Sequence, residues 1–173
     1  MHMLIVEDNR VYQLLLQKVL KRFGCTSSIA CNGQEALTYL SSPSERCMRP
    51  DIIFMDDQMP VLDGYKTRNI IRTQQPFISD PLIASTPIVL MKAHAMIGDT
   101  KMAADRGFDD ILIKPIFFQR LKKLIIFWSQ NRVGAGAGAG IGIAGGGKVV
   151  PLPPTAQWGP FPLRAFLGPK SLL

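Results

Sequence analysis

Acidic side chains follow two short apolar segments of this sequence, at positions where a chain leaves a sheet. Glu7 and Asp8 come directly after MLIV, and Asp56 and Asp57 come directly after IIFM. Several carboxylates cannot share a small site unless a cation neutralises them or their pKa values rise. Mg²⁺ prefers hard oxygen ligands and usually takes one or two carboxylates together with a phosphate. These acids therefore predict a magnesium site.

Two lysines follow later apolar segments, Lys92 after PIVLM and Lys114 after DILI. A lysine binds phosphate as a point charge, and an aspartate can accept a phosphoryl group to form an aspartyl-phosphate. Together with the acids, the lysines indicate phosphoryl transfer to a carboxylate, assisted by Mg²⁺. Single motifs have simpler interpretations, because Asp8 or Asn9 could cap a helix and Lys114-Pro115 could be only a turn. Because four separate segments each supply a group suited to one Mg²⁺–phosphate site, phosphoryl transfer is favoured over these simpler interpretations.

The segments that must position these groups alternate between two hydrophobic periods, that of a strand and that of a helix. Five strands that alternate with five helices predict an α/β fold, a single doubly wound parallel sheet with helices on both faces. Ligands of such sheets bind beyond the carboxyl ends of the strands, where the acids and lysines fall. QQPFISDPLIAS, with two prolines, is predicted to be a surface loop. In the first helix the apolar residues at helical spacing are Val11, Leu14, Leu15, Val19, Leu20 and Phe23.

The composition changes near residue 131 and divides the chain in two. Residues 1–130 are predicted to form one domain, and the Gly/Ala- and Pro-rich residues 131–173 a largely disordered tail. No apolar run long enough to span a membrane and no leader pattern is found, so neither a membrane span nor a signal peptide is expected. The three cysteines fit a reducing compartment, which predicts a cytoplasmic or nuclear location. The net charge of +7 forms no dense basic stripe, so nucleic-acid binding is not expected.

Four strings in order, LIVEDN, DIIFMDDQMPVLDG, KAHAM and GFDDILIKPI, resemble the receiver domain of the response-regulator superfamily. Within them, QMP, DG and AHAM resemble the receivers of hybrid histidine kinases in particular. The resemblance implies a flavodoxin-like strand order, 2-1-3-4-5, and a signalling module of a two-component phosphorelay. Such a module is not an enzyme in the usual sense, since it catalyses only its own phosphoryl transfer and hydrolysis. Its phosphoryl donor would be a histidine phosphotransfer protein or a histidine kinase.

The resemblance also selects one aspartate of the adjacent pair. In the family pattern the phospho-acceptor stands four residues before the proline and eight before the glycine, which selects Asp56, with Pro60 and Gly64. Neighbouring residues of a strand point to opposite faces, which also argues for one residue of the pair.

The resemblance implies further roles around Asp56. Glu7 and Asp8 would hold Mg²⁺ with Asp56, and the backbone carbonyl of Gln58 would complete the protein ligands. Lys114 would pair with Asp56 and later with the phosphoryl group. The peptide bond between Lys114 and the following proline is expected to be cis.

Two positions depart from the family pattern. Lys92 stands at the end of the fourth strand, where the family usually has Thr or Ser, whose hydroxyl bonds the phosphoryl group. Ile111 replaces a frequent aromatic residue of the fifth strand. The ammonium of Lys92 would either lie near Asp56 or turn to solvent. The chain is therefore either a phospho-accepting receiver or a degenerate receiver that binds a partner without phosphorylation.

Two other classes of protein are disfavoured by the tail. GIAGGGKV, residues 142–149, has the spacing of a phosphate-binding loop up to Lys148. It lacks the Ser or Thr that would hold Mg²⁺ and follows no strand, which argues against a nucleotide-binding enzyme. The tail is also too short and too rich in glycine for a helix-turn-helix unit, so a DNA-binding output domain is not expected.

Overall fold

A computed structural model describes residues 1–93 and 98–132 of the chain. Most of the predicted disordered tail, including the glycine-rich segment 142–149, lies outside these residues. Among the helices that are described, none combines the length and the apolar character needed to cross a membrane.

Five parallel strands form one sheet in the order β2-β1-β3-β4-β5, which confirms the predicted topology. The strands are β1 (His2–Val6), β2 (Thr26–Ala30), β3 (Ile52–Asp56), β4 (Ile88–Lys92) and β5 (Asp110–Ile113). In this register Asp56 lies beside Met91, and Lys92 lies beside Ile113. The carboxyl ends of β3, β4 and β5 therefore lie side by side at one edge of the sheet.

The described residues form six α-helices and one 3₁₀ turn, one helix more than the sequence predicted. The helices are α1 (Arg10–Arg22), α2 (Gly33–Ser41), α3 (Gly64–Thr73), α4 (Pro81–Ala84), α5 (Asp99–Asp105) and α6 (Phe118–Arg132), and the 3₁₀ turn is Phe77–Ser79.

The additional helix, α4, lies in the segment QQPFISDPLIAS, which was expected to be a surface loop. The Asp80 side chain accepts hydrogen bonds from the backbone N–H groups of Leu82 and Ile83, and Pro81 occupies the first turn. An aspartate cap followed by proline is a favourable helix start. Because Phe77 and Ile83 are buried in the core, this connection packs against the domain and the expectation of a surface loop was wrong there.

Two apolar cores lie on opposite faces of the sheet. Strand β3 supplies both, since Ile53 and Met55 point to one core while Ile52 and Phe54 point to the other. The first core also contains residues of α2, α3 and α5, and the second contains residues of α1 and α6. Burial on both faces holds the strands in register and leaves the strand ends as the positions where polar groups can gather.

The first helix buries a narrower face than its apolar content suggests. Gln13, Leu16 and Leu20 are its buried residues. Three apolar residues at helical spacing face outward instead, with exposed fractions of 74% for Val11, 47% for Leu14 and 44% for Leu15. The helix therefore presents an apolar outer surface, defined here as the α1 patch (Val11, Leu14 and Leu15).

Candidate functional site

The turn between β1 and α1 places two acids at the edge of the sheet. Asn9 caps α1 by accepting a hydrogen bond from the N–H of Val11, so the Asp8 carboxylate is not used as the cap. Glu7 is fully buried, and its carbonyl accepts a 2.6 Å hydrogen bond from Gln13 Nε2. This bond ties the turn to the buried face of α1 and fixes the direction of Glu7.

Asp56 is the last residue of β3 and is 5% exposed. Its Oδ1 atom accepts a 3.1 Å hydrogen bond from the N–H of Asp57, which is itself only partly buried. Gly64, the first residue of α3, packs directly on this strand end. A Cβ at Gly64 would overlap the Asp56 carbonyl oxygen, so a glycine is needed for this close approach.

Lys114 follows β5 and reaches across the edge of the sheet to both buried acids. Its Nζ atom lies 2.7 Å from Glu7 Oε2 and 2.8 Å from Asp56 Oδ1. The N–H of Lys114 donates a 2.8 Å hydrogen bond to the carbonyl of Lys92, which anchors its backbone to β4. The Lys114–Pro115 peptide bond is cis, as the resemblance implies.

Burial and charge shift the pKa values of all three groups. Burial raises the pKa of Asp56, against the opposing effect of the Lys114 ammonium. Burial likewise raises the pKa of Glu7, where Lys114 opposes the change and the Asp56 charge adds to it. For Lys114, burial lowers the pKa, but the hydrogen bonds to Asp56 and Glu7 outweigh it and the net direction is upward. The two carboxylates are costly to hold as anions, which favours binding of a further cation.

The acids form a donor set that fits Mg²⁺. One carboxylate oxygen from each of Glu7, Asp8 and Asp56 lies within 4.8 Å of the other two. Three carboxylates face one ammonium here, so the cluster has an excess of negative charge that a divalent cation would neutralise. Hard oxygen donors of this kind are the ligands that Mg²⁺ prefers, and Gln58 lines the same cleft.

The lining of the cleft includes Tyr12, a residue that sequence reasoning missed. The cleft is lined by Glu7, Asp8, Asn9, Tyr12, Asp56, Asp57, Gln58, Ala93, Lys114 and Pro115. The centroid of the Tyr12 ring lies 4.7 Å from Lys114 Nζ, within the distance of a cation–π contact. Tyr12 lies in the first turn of α1, only four residues after Asp8, and that closeness in sequence was the signal that could have pointed to it.

Lys92 lies at the end of β4, as the family register implies, but its ammonium takes neither expected position. Lys92 Nζ lies 2.7 Å from Asp99 Oδ1, and the two side chains are 18% and 9% exposed. The hydrogen bond to Asp99 raises the pKa of Lys92. Ile111 is buried in the core beside α5. The structure therefore brings Glu7, Asp8, Asp56 and Lys114 together and directs Lys92 toward α5.

The chain thus folds as a doubly wound parallel sheet that carries a cluster of acids and a lysine at its carboxyl edge. The family model described as "Response regulator receiver domain" matches residues 3–126 of the chain. The chain belongs to this family.

Relatives and solved structures agree with this assignment. The chain is 38% identical over 125 residues to hybrid signal transduction histidine kinase A of Dictyostelium discoideum and 32% identical over 132 residues to the yeast transcription factor SKN7. These alignments cover 72% and 76% of the chain but only 6% and 19% of the relatives, so the chain spans a small part of either protein.

Two solved receiver domains are each 30% identical to the chain. One is the yeast Ssk1 receiver in complex with the histidine phosphotransfer protein Ypd1, with a TM-score of 0.65 and coverage of 76% of this chain and 90% of that one. The other is the receiver of a Pseudomonas aeruginosa sensor histidine kinase with magnesium coordinated in its active-site cleft, with a TM-score of 0.60 and coverage of 73% and 95%.

Proposed function

We propose that this chain is a phospho-accepting receiver of a two-component phosphorelay, in which Asp56 takes a phosphoryl group from a histidine with the help of Mg²⁺. The observation that carries the proposal is the contact of Asp56 with Lys114 beside Glu7 and Asp8. A buried aspartate with an adjacent lysine and two further acids has the groups that phosphoryl transfer to a carboxylate requires.

Each residue has a separate role in this proposal. Glu7, Asp8, Asp56 and the backbone carbonyl of Gln58 hold Mg²⁺, which supplies charge neutralisation at the phosphoryl oxygens when it is bound. Lys114 first compensates the charge of Asp56 and then pairs with the phosphoryl group. The chain catalyses its own phosphorylation and hydrolysis and no other reaction.

The runner-up function is a degenerate receiver that binds a partner without phosphorylation. The observation that favours it is the Lys92–Asp99 ion pair, because Lys92 supplies no hydroxyl to a phosphoryl group and is already engaged. Labelling of Asp56 separates the two functions, since a degenerate receiver would accept no phosphoryl group.

The proposed donor is a histidine phosphotransfer protein, or a histidine kinase, in the cytoplasm or nucleus. A related receiver binds such a phosphotransfer protein in its solved complex. In this chain the α1 patch lies on the same helix as Tyr12, which lines the cleft, so a partner seated there could bring its histidine to Asp56. Exposed apolar patches of this kind mark protein interaction sites.

Mass spectrometry after incubation with Mg²⁺ and acetyl phosphate tests the proposed function. The chain should gain one phosphoryl group, Asp56→Asn should abolish the gain, and Asp57→Asn is the matched control that should keep most of it. Loss of labelling with Asp57→Asn alone would show that the register is wrong. No labelling of the unmodified chain would favour the degenerate receiver.

A second experiment tests the donor. Leu14→Glu on the α1 patch should slow transfer from a phosphorylated histidine phosphotransfer protein about tenfold or more, because a buried charge opposes an apolar interface. Labelling by acetyl phosphate should be unchanged, since that small donor needs no docking surface. Equal transfer rates with and without the substitution would contradict docking on α1.

A further inference from the structure

Tyr12 contacts the catalytic lysine from the side of α1. The Lys114 ammonium has three N–H donors, and it lies within ion-pair distance of Glu7 and Asp56. The face of the Tyr12 ring is its third neighbour, with the centroid 4.7 Å from Nζ. Tyr12 is partly buried, so water screens this contact less than it would at an exposed site.

We propose that Tyr12 is a positioning residue for phosphoryl transfer, and that its ring face holds the Lys114 ammonium beside Asp56 during the reaction. This inference rests on the proposed function and deepens it. In the transfer a bond forms between an Asp56 carboxylate oxygen and phosphorus, while the bond from phosphorus to the donor breaks and its electron pair leaves with the donor. The ammonium must stay close to the phosphoryl oxygens throughout.

The Tyr12 ring is suited to this task because its cation–π attraction for the Lys114 ammonium does not depend on the charge of the carboxylates. Glu7 and Asp56 are the partners of Lys114, and both also belong to the acid cluster that fits Mg²⁺. Asp56 loses negative charge on its own oxygen when it forms the new bond. Carboxylates that bind a metal or a phosphoryl group attract the ammonium less, whereas the negative face of the ring is unchanged.

A purely steric role makes a different prediction. The lysine side chain carries an apolar stem, and any bulky residue at position 12 could pack against it. Under that alternative the shape of residue 12 matters and the charge of its ring face does not. Substitutions that separate shape from ring charge therefore decide between the two roles.

The first test compares Tyr12→Phe, Tyr12→Trp and Tyr12→Leu by the initial rate of Asp56 labelling with acetyl phosphate and saturating Mg²⁺. Phe and Trp keep an aromatic face and should label within about twofold of the unmodified chain, whereas Leu should be roughly threefold to tenfold slower. Lys18→Ala, at an exposed position of α1 outside the α1 patch, is the matched control and should leave the rate unchanged. A Tyr12→Leu rate equal to that of Tyr12→Phe overturns the proposal.

The second test keeps the shape of the ring and changes its charge. Phenylalanines with one, two and three ring fluorines at position 12 have progressively weaker negative faces, so the labelling rate should fall stepwise along the series. A flat series overturns the role of the ring face, even if Tyr12→Leu proves slow because it folds poorly. If the unmodified chain is not labelled at Asp56, the proposed function itself fails, and the two failures are thereby distinguished.

Discussion

The Lys92 ammonium lies 2.7 Å from Asp99, an ion pair that joins the end of β4 to the first turn of α5. The pair brackets the connection of residues 93–98, because one partner precedes it and the other follows it directly. In the family pattern this strand end carries a hydroxyl that bonds the phosphoryl group. Here the corresponding residue is Lys92, and its ion pair connects the strand end to α5.

The first prediction concerns the response of α5 to phosphorylation. A ligand shifts a two-state element only through different affinity for its two states. Because Lys92 is held by Asp99, a phosphate mimic at Asp56 with Mg²⁺ should change the amide spectrum little at Lys92, Gly98 and Ile111. Lys92→Thr, which restores a hydroxyl and breaks the ion pair, should enlarge those changes.

Two further variants sharpen this experiment. Asp99→Asn should also enlarge the response, since it releases the Lys92 ammonium without changing residue 92. Lys66→Thr is the matched control, because Lys66 forms an exposed ion pair with Asp63 far from this connection in sequence. A large response in the unmodified chain that Lys92→Thr leaves unchanged would falsify the prediction.

The second prediction is that Mg²⁺ stabilises the domain through the acid cluster. A ligand that binds only the folded state at about 100 times its Kd adds about 2.7 kcal/mol, which corresponds to a rise in Tm of roughly 10 °C. Asp8→Asn should remove most of this rise, because it deletes one of the three converging carboxylates. Thermal unfolding with and without Mg²⁺ measures it, with Asp57→Asn as the control that keeps the rise. An undiminished rise in Asp8→Asn would mean that the ion binds elsewhere.

The third prediction concerns the close approach of α3 to the end of β3. Gly64→Ala would place a Cβ against the Asp56 carbonyl and 3.0 Å from Met55 Cγ, so the strand end must shift. We expect a loss of stability of about 1–3 kcal/mol and slower labelling of Asp56, measured by urea unfolding and mass spectrometry.

Gly24→Ala is the matched control for this change. Gly24 has a φ of +74°, so alanine there is strained, but within the described part of the chain the added Cβ would meet no atom within 4 Å apart from its neighbours in sequence. Its stability should fall by about 1 kcal/mol while Asp56 is labelled at the normal rate. Normal labelling of the Gly64→Ala variant would show that the strand end tolerates the shift.

The fourth prediction is a pH dependence that originates at the opposite end of the sheet. The buried His2 ring makes hydrogen bonds of 2.9 Å to Thr26 Oγ1, 3.1 Å to Ser28 Oγ and 3.0 Å to the Tyr39 hydroxyl. Burial lowers the pKa of His2 below its ordinary value of 6.5, although the charge of Asp51 opposes the change. The folded state therefore holds a neutral ring in a range of pH where the unfolded chain binds a proton.

The sign of the effect follows from proton binding. Below pH 6.5 the unfolded state binds more protons than the folded state, so the free energy of unfolding decreases as the pH falls toward the lowered pKa. His2→Gln removes this titration. The decrease in Tm between pH 7.5 and pH 5.5 should be larger for the unmodified chain than for His2→Gln. Equal decreases would show that His2 titrates as it does in the unfolded chain.

Most of the fold was predictable because its signals are local. Four of the five strands, β1, β3, β4 and β5, are short apolar runs, and the acids and lysines come at the ends of those runs. Helix α4 was missed because four residues are too few to display a helical period, and its signal was only the Asp80-Pro81 start. The buried face of α1 is also narrower than its apolar residues suggested, because the sheet covers only one side of the helix and the α1 patch stays exposed.

The sequence by itself determined the family, the strand order it implies and the aspartate to consider, because these depend on spacing along the chain. Only the tertiary structure decided the partners of the long side chains. Lysine has a flexible stem, and the carboxylate it meets depends on which elements pack beside it. Because α5 packs against the sheet, Asp99 lies close enough to form an ion pair with Lys92. Because α1 packs against the opposite face of the sheet, the Tyr12 ring lies against the Lys114 ammonium. These contacts join residues on different elements, so no local pattern in the sequence records them.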